Sequence, residues 1–260
     1  MTSATGVAPK AEGRDTALLL GCRIDRVDME TTLRRARAAI DRREYVQHVC
    51  INAAKLVALQ DDDELRRIVE GCGLVNADGQ AVVWASRILG DPLPERVAGV
   101  DLMFELFALS ERHGYRPYIL GAAPDVLEQA VARLRVKHPR LDLAGWHDGY
   151  FPVEEHAQVA REIRDSGADI LFVAISSPTK ERFLGAYGAT LGVPFVMGVG
   201  GAIDIVAGVT RRAPGAWQRL GLEWLYRLLQ EPQRMFKRYA TTNLRFLMLV
   251  ARSLAGRSGR

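Results

Sequence analysis

The chain has 260 residues, 48% of them hydrophobic and 25% charged, which is enough to bury a sizeable core and sits at the upper limit of a single domain. Its formal net charge of +4 is unevenly spread: residues 211–260 hold eleven Lys/Arg against two acids, leaving the rest with 24 bases and 29 acids. No charged n-region precedes a long apolar segment at the start, the longest late apolar run (246–251) falls far short of the ~20 residues that span a bilayer, and three cysteines (Cys22, Cys50, Cys72) show no CxxC spacing, so a secreted disulfide scaffold, a structural zinc site and a membrane span are excluded and a reducing cytosol is expected.

Residues 1–16 are small, polar and Gly/Pro-containing and read as a disordered leader. An α/β core is expected over 17–210. Candidate strands fall at 45–51, 74–77, 116–120, 141–145, 169–175 and 194–199, and helix patterns at 28–42, 53–70, 80–89, 100–113, 124–137, 154–165 and 178–191. That alternation predicts a doubly wound, mostly parallel sheet of Rossmann-like form. Over 211–260, Leu220, Leu222, Trp224, Leu225, Leu228 and Leu229, then Leu244, Phe246 and Leu247, interleave with arginines at helical spacing, with a break near Pro232. This predicts a basic amphipathic helical appendage. It can lie in a membrane interface, or dock its apolar side on the core or on a second subunit.

In doubly wound sheets ligands bind beyond the carboxyl ends of the strands. The residues there are Asn52; Asn76-Ala77-Asp78-Gly79; Gly121-Ala122-Ala123; His147-Asp148-Gly149; Ser176-Ser177-Pro178-Thr179-Lys180-Glu181; and Gly198-Val199-Gly200-Gly201 with Asp204. The glycine runs after 120 and 197 let backbone N–H groups approach a phosphate, although glycine is also the ordinary turn from strand to helix. Asp78, Asp148 and Asp204 compete as general base, each with an alternative as a helix cap or turn residue. The Asp61–Glu64 run reads as the acidic first turn of a surface helix rather than a metal site. His147 and His156 have no pattern of partner ligands, so no metal is assigned, and neither Ser176 nor Ser177 sits in a nucleophile elbow.

With those residues laid out, the chain resembles the WecG/TagA/CpsF family of bacterial glycosyltransferases (glycosyltransferase family 26) over nearly all of 20–245. The resemblance is carried by Asn52 followed by a helix, NADG at 76–79, LGDPLPERVAGVDL at 89–102, YILGAAP at 118–124, GWHDGYF at 145–151, SPTKE at 177–181, GVGGAIDIVAGVTRRAP at 198–214 and GLEWLYRLLQEPQR at 221–234. It implies inverting transfer of a sugar from a UDP-sugar to an undecaprenyl-diphosphate-linked saccharide, with no metal and no cofactor. Asp78 matches the family's proposed base. Asn52, Arg96, Lys180, Gly200, Gly201 and Asp204 match donor-pocket positions. Arg227, Arg234 and Lys237 match basic positions thought to hold the lipid diphosphate.

Two departures bear on the donor. Cys50 stands where many members have Thr, and Thr179-Lys180 where many have Lys-Gln. A plain hexose or a uronic acid then competes with an N-acetylhexosamine, since Lys180 could pair with a carboxylate. The expected partners are the UDP-sugar, the lipid-linked acceptor and an anionic membrane surface, with no nucleic acid and with homo-oligomerisation left open. The expected location is cytoplasmic, peripheral to the inner face of the cell membrane. Two rival readings compete: a nucleotide-dependent oxidoreductase, against which no GxGxxG follows the first strand of this chain, and a non-enzymatic nucleic-acid-binding protein using the basic tail.

Overall fold

The computed structural model describes residues 14–219, 221–230 and 232–258, with the backbone alone at 219, 227, 234–240, 257 and 258. Residues 1–13, most of the expected leader, lie outside the described residues. The chain opens with a hairpin that periodicity did not reveal, β1 (Thr16–Leu19) and β2 (Cys22–Asp25). Its two-residue turn, Leu20-Gly21, has both residues at positive φ (49° and 82°), as the twist of a tight hairpin requires. Four-residue strands are too short to declare a period of two.

Six parallel strands form the sheet: β3 (Val46–Ile51), β4 (Leu74–Ala77), β5 (Pro117–Leu120), β6 (Gly145–His147), β7 (Ile170–Val173) and β8 (Phe195–Gly198), in the order β4-β3-β8-β7-β5-β6. Around them run α1 (Met29–Arg42), α2 (Ala53–Asp61), α3 (Asp63–Glu70), α4 (Gln80–Ile88), α5 (Gly99–His113), α6 (Pro124–Lys137), α7 (His156–Asp165), α8 (Thr179–Tyr187) and α9 (Ala202–Ala207). Successive strand residues face opposite layers. Ile119, Phe172 and Met197 pack under α5 and α6, while Tyr118, Leu120, Leu171, Val173 and Val196 pack with residues of α7 and α8. Both faces are covered, which is why these strands read as continuous apolar runs. The architecture is the doubly wound, Rossmann-like α/β fold that the alternation predicts.

Two elements differ from the sequence reading. The segment 53–70 is two helices, because Asp62 adopts extended backbone (φ −127°), ends α2 and caps α3 by accepting from Leu65 N at 2.9 Å. The acidic run is therefore a helix start, as expected, but it begins a new helix. The fourth expected strand lies at Gly145–His147 instead of 141–145, and Leu141 and Leu143 reach the core from the loop before it.

After the core come α10 (Gly215–Arg219), α11 (Glu223–Gln230) and α12 (Pro232–Ser258), with the break at Pro232. The last helix packs across α2, burying Phe246 and Val250 against the hairpin side of the core. Among the described residues no helix is long and apolar enough to cross a membrane.

Candidate active site

Two adjacent strands, β3 and β8, feed helices on opposite faces: α2 joins the layer of α3 and α8, and α9 joins that of α6. A crevice opens at such a switch point, beyond the carboxyl ends of the strands. At the carboxyl ends of these neighbouring strands stand Cys50 in β3, Asn52 just after it, Asp78 after β4 and the Gly198–Gly201 loop at the end of β8. Asn52 caps α2 by accepting from Lys55 N at 2.9 Å, and a Cβ built on Gly79 would lie 3.7 Å from Asn52 Cβ. Gly99 is tighter: a Cβ there would lie 3.0 Å from Cys50 Sγ, crowding the thiol, and 3.9 Å from Asp78 Oδ2, in ordinary contact with the carboxylate.

Asp78 is half-buried, and its backbone N donates to Ile51 O at 2.8 Å. Of its two alternatives, the cap for α4 is not what forms. Gly79 is the N-cap there, without a side-chain bond, and Asp78 Oδ1 instead accepts from Gly99 N at 3.0 Å, at the start of α5. One oxygen of the carboxylate is thus oriented by a helix N-terminus, where negative charge is stabilised. Beside it, burial and the Asp78 charge hold the Cys50 thiol well above its ordinary range, so Cys50 stays protonated and is a poor nucleophile.

Behind the β8 loop sits a charged cluster that sequence reasoning found only in part. Lys55 Nζ lies 2.6 Å from Glu181 Oε1, and Lys180 Nζ lies 3.5 Å from the same oxygen. Burial pushes the Glu181 carboxyl up, but Lys180 and Lys55 outweigh it and hold it down at about 2. Burial and the neighbouring Lys55 lower Lys180. Lys180 stretches over Gly198, where a Cβ would lie 2.6 Å from its Cε. Gly200 has φ +50°, and a Cβ there would have no heavy atom within 4 Å, so the loop presents bare backbone to open space. Asp204, half-buried in α9, has its Oδ2 3.4 Å from where a Gly201 Cβ would stand.

On the other side of Asp78, Val97 N donates to Ala77 O at 2.9 Å and lays the segment carrying Arg96 along the end of β4. Arg96 Nη1 meets Glu223 Oε2 of α11 at 3.0 Å. Arg212 forks onto both oxygens of Asp101, in the first turn of α5, and its Nε lies 3.5 Å from Glu223 Oε1. A chain of four charges therefore ties the appendage to the helix that orients Asp78.

Other candidates lie elsewhere. Asp148 follows β6 at the far edge of the sheet and accepts from Tyr150 N at 2.8 Å, as a turn residue does. Among the described residues, no three His, Cys, Asp or Glu side chains group as metal ligands would. Arg227 lies on α11 and Arg234 and Lys237 on α12, but their side chains are outside the described residues. Lys55, Glu181, Glu223 and Asp101 were not singled out from the sequence. Charges in the first turn of a helix were the available signal, but Lys55 and Glu181, Asp101 and Arg212, and Arg96 and Glu223 stand 126, 111 and 127 residues apart in the chain. The family model described as "Glycosyl transferase WecG/TagA/CpsF family" matches residues 17–260.

Proposed function

Because the chain belongs to the WecG/TagA/CpsF glycosyl transferase family, and so is a glycosyltransferase of cell-surface polysaccharide synthesis, we propose that it moves a hexosyl or N-acetylhexosaminyl unit from a UDP-sugar to an undecaprenyl-diphosphate-linked saccharide. The step is a single inverting displacement. An acceptor hydroxyl oxygen bonds to the anomeric carbon as the bond to UDP breaks on the opposite face, and the hydroxyl proton passes to Asp78. The observation that carries this reading is the Asp78 carboxylate at the switch-point crevice, oriented through Oδ1 by Gly99 N. A base held so loses little on ordering at the moment of reaction.

Asn52, Lys180, Gly200, Gly201 and Asp204 line the donor side in this reading, and Arg96 meets the donor from the β4 side. Departing UDP carries two phosphates, and lysine, arginine and backbone N–H groups stabilise such developing charge without a divalent ion. Activity is therefore expected to persist in chelator, and a strict Mg²⁺ requirement would overturn that part. Arg227, Arg234 and Lys237 serve the acceptor diphosphate, with the appendage against the inner face of the cell membrane.

Asp78→Asn tests the base. The amide keeps the shape and cannot take the proton, so transfer should fall about 10²- to 10⁴-fold while UDP affinity stays within a few-fold. Near-normal turnover by folded Asp78→Asn protein would remove Asp78 from the mechanism.

A further inference from the structure

The outer surfaces of α4 and of the β1–β2 hairpin carry large apolar side chains where the solvent side of an element is ordinarily polar. On α4, Val82, Val83, Ala85 and Ser86 turn inward, while Trp84 and Ile88, one turn apart, are 49% and 60% exposed with Arg87 beside them. On the hairpin, Ala17, Leu19, Cys22 and Ile24 are buried. Leu18, 52% exposed, and its cross-strand partner Arg23 therefore point outward together. Leu18 N donates to Asp91 Oδ2 at 2.7 Å, and Asp91 stands just past α4, so the two surfaces adjoin.

The face is also basic. Asp15 and Asp91 at its edge both pair with Arg26, and Glu70 and Arg66 act on Cys22 with opposite sign. The guanidinium groups of Arg23 and Arg87 form no ion pair or hydrogen bond among the described residues. Two contacts then fix where the face lies. Helix α4 starts directly after Asp78-Gly79 and runs about 12 Å from the crevice to Ile88. The turn between α10 and α11 packs on its first turns, since a Cβ on Gly221 would lie 2.7 Å from Gln80 Cγ and 3.6 Å from Trp84 Cη2. The face is thus continuous with the appendage and runs back from the crevice.

We propose that this face of the core, formed by Leu18, Arg23, Trp84, Arg87 and Ile88, docks on an anionic bilayer surface and sets the position of Asp78 relative to it. Exposed Trp, Leu and Ile interleaved with arginine suit the headgroup boundary, with apolar groups towards the acyl chains and guanidinium groups at the lipid phosphates. A second copy of the chain is the poorer occupant. Closed two-fold symmetry would set the patch against itself and bring its own arginines together. The core, and not the appendage alone, then meets the surface. This rests on the reading above that the acceptor is carried by a membrane lipid.

The test is flotation of the full chain with phosphatidylcholine vesicles and with vesicles of equal parts phosphatidylcholine and phosphatidylglycerol. Three double variants are compared: Leu18→Ser with Ile88→Ser, Arg23→Gln with Arg87→Gln, and, on the appendage, Leu244→Ser with Leu247→Ser. Trp84 is kept, because it also packs on Gly221. Tm and sedimentation are measured in parallel, and the arginine pair, which has no internal partners to lose, reads the face even if the serine pair unfolds.

Each core pair should weaken binding to the anionic vesicles about tenfold or more while Tm stays nearly unchanged. Undiminished binding by the folded core pairs, with loss in the appendage pair, would overturn the proposal and leave the appendage at the membrane. Loss in the core pairs alone would uphold the face and remove the outward stripe of α12 from the contact. A wild-type dimer that the core pairs dissociate would overturn the proposal in favour of a second copy. A wild-type chain that stays off anionic vesicles also overturns it, but not the transfer reaction, which Asp78→Asn tests on its own.

Discussion

His48 lies in the middle of β3 with its imidazole fully enclosed, its Nε2 2.8 Å from Asn76 Oδ1. Asn76 Nδ2 donates to Thr32 Oγ1, which fixes the amide so that His48 Nε2 carries the hydrogen and Nδ1 is left without a partner. Burial pushes the imidazole from 6.5 down to about 4. The unfolded chain therefore takes up this proton first, so stability is full above about pH 6.5 and falls as pH drops towards 4. One such group accounts for about 3 kcal/mol across that window. Glu181 adds a second loss below 4.5, down to about pH 2, because its folded carboxyl is held low by the two lysines. Urea midpoints measured against pH should show the decline starting near 6.5, and His48→Gln should flatten the 6.5-to-4 limb while leaving the lower one. Asp25 is a second buried anchor: Arg14 and Arg35 pair with it and Val75 N donates to it at 2.7 Å, tying the hairpin to β4. Asp25→Ala strands both guanidinium groups and that N–H, and should cost about 3 kcal/mol or more by denaturant melt.

Secondary elements show what the linear pattern carried and what it lost. Strand ends are readable because a parallel sheet puts its turn residues there, and so the sequence places Asn52, Asp78 and the Gly198–Gly201 loop at the carboxyl ends of the strands that turn out to be β3, β4 and β8. The β1–β2 hairpin and the break at Asp62 are not, since four residues carry no clear period and an aspartate reads equally well inside an acidic helix turn. Pairings such as Lys55 with Glu181 depend on which strands are neighbours, and alternation alone does not give strand order. Helix α12 has two apolar sides. Phe246 and Val250 face α2, pinned by Arg245 to Asp61 at 2.8 Å, while Leu244, Leu247, Met248 and Leu254 face outward. Phe246→Ala should destabilise by about 3 kcal/mol, because it opens a cavity against the core. Leu244→Ser with Leu247→Ser should leave the melt nearly unchanged and weaken binding to anionic vesicles in a flotation assay. The opposite ranking would make the outward stripe part of a packed interface. Removing the whole appendage is a poorer test, since α12 also roofs α2.

Across the whole molecule the basic tail and the acidic remainder make a dipolar protein, with part of the tail's charge already met inside. Arg212 is matched by Asp101 and Arg245 by Asp61, so fewer than eleven cations remain for a surface. Each one near an anionic leaflet is worth about 1 kcal/mol, and screening shortens its reach from about 10 Å at 0.1 M salt to about 3 Å at 1 M. Vesicle binding should accordingly fall steeply with added salt while the melting temperature changes little; salt-insensitive binding would mean that apolar contact dominates. The same internal pairing has a further consequence. Asp78 hangs from the first N–H of α5, Asp101 two residues on holds Arg212, and Glu223 on the appendage reaches both Arg212 and Arg96. A ligand that gains by drawing Arg96 away from Glu223 must loosen the appendage, and a surface that gains by moving the appendage must change the grip on that ligand by the same factor. If Arg96 meets the donor and the appendage meets the membrane, as proposed, that reciprocity runs through one arginine, and neither affinity could be tuned without retuning the other.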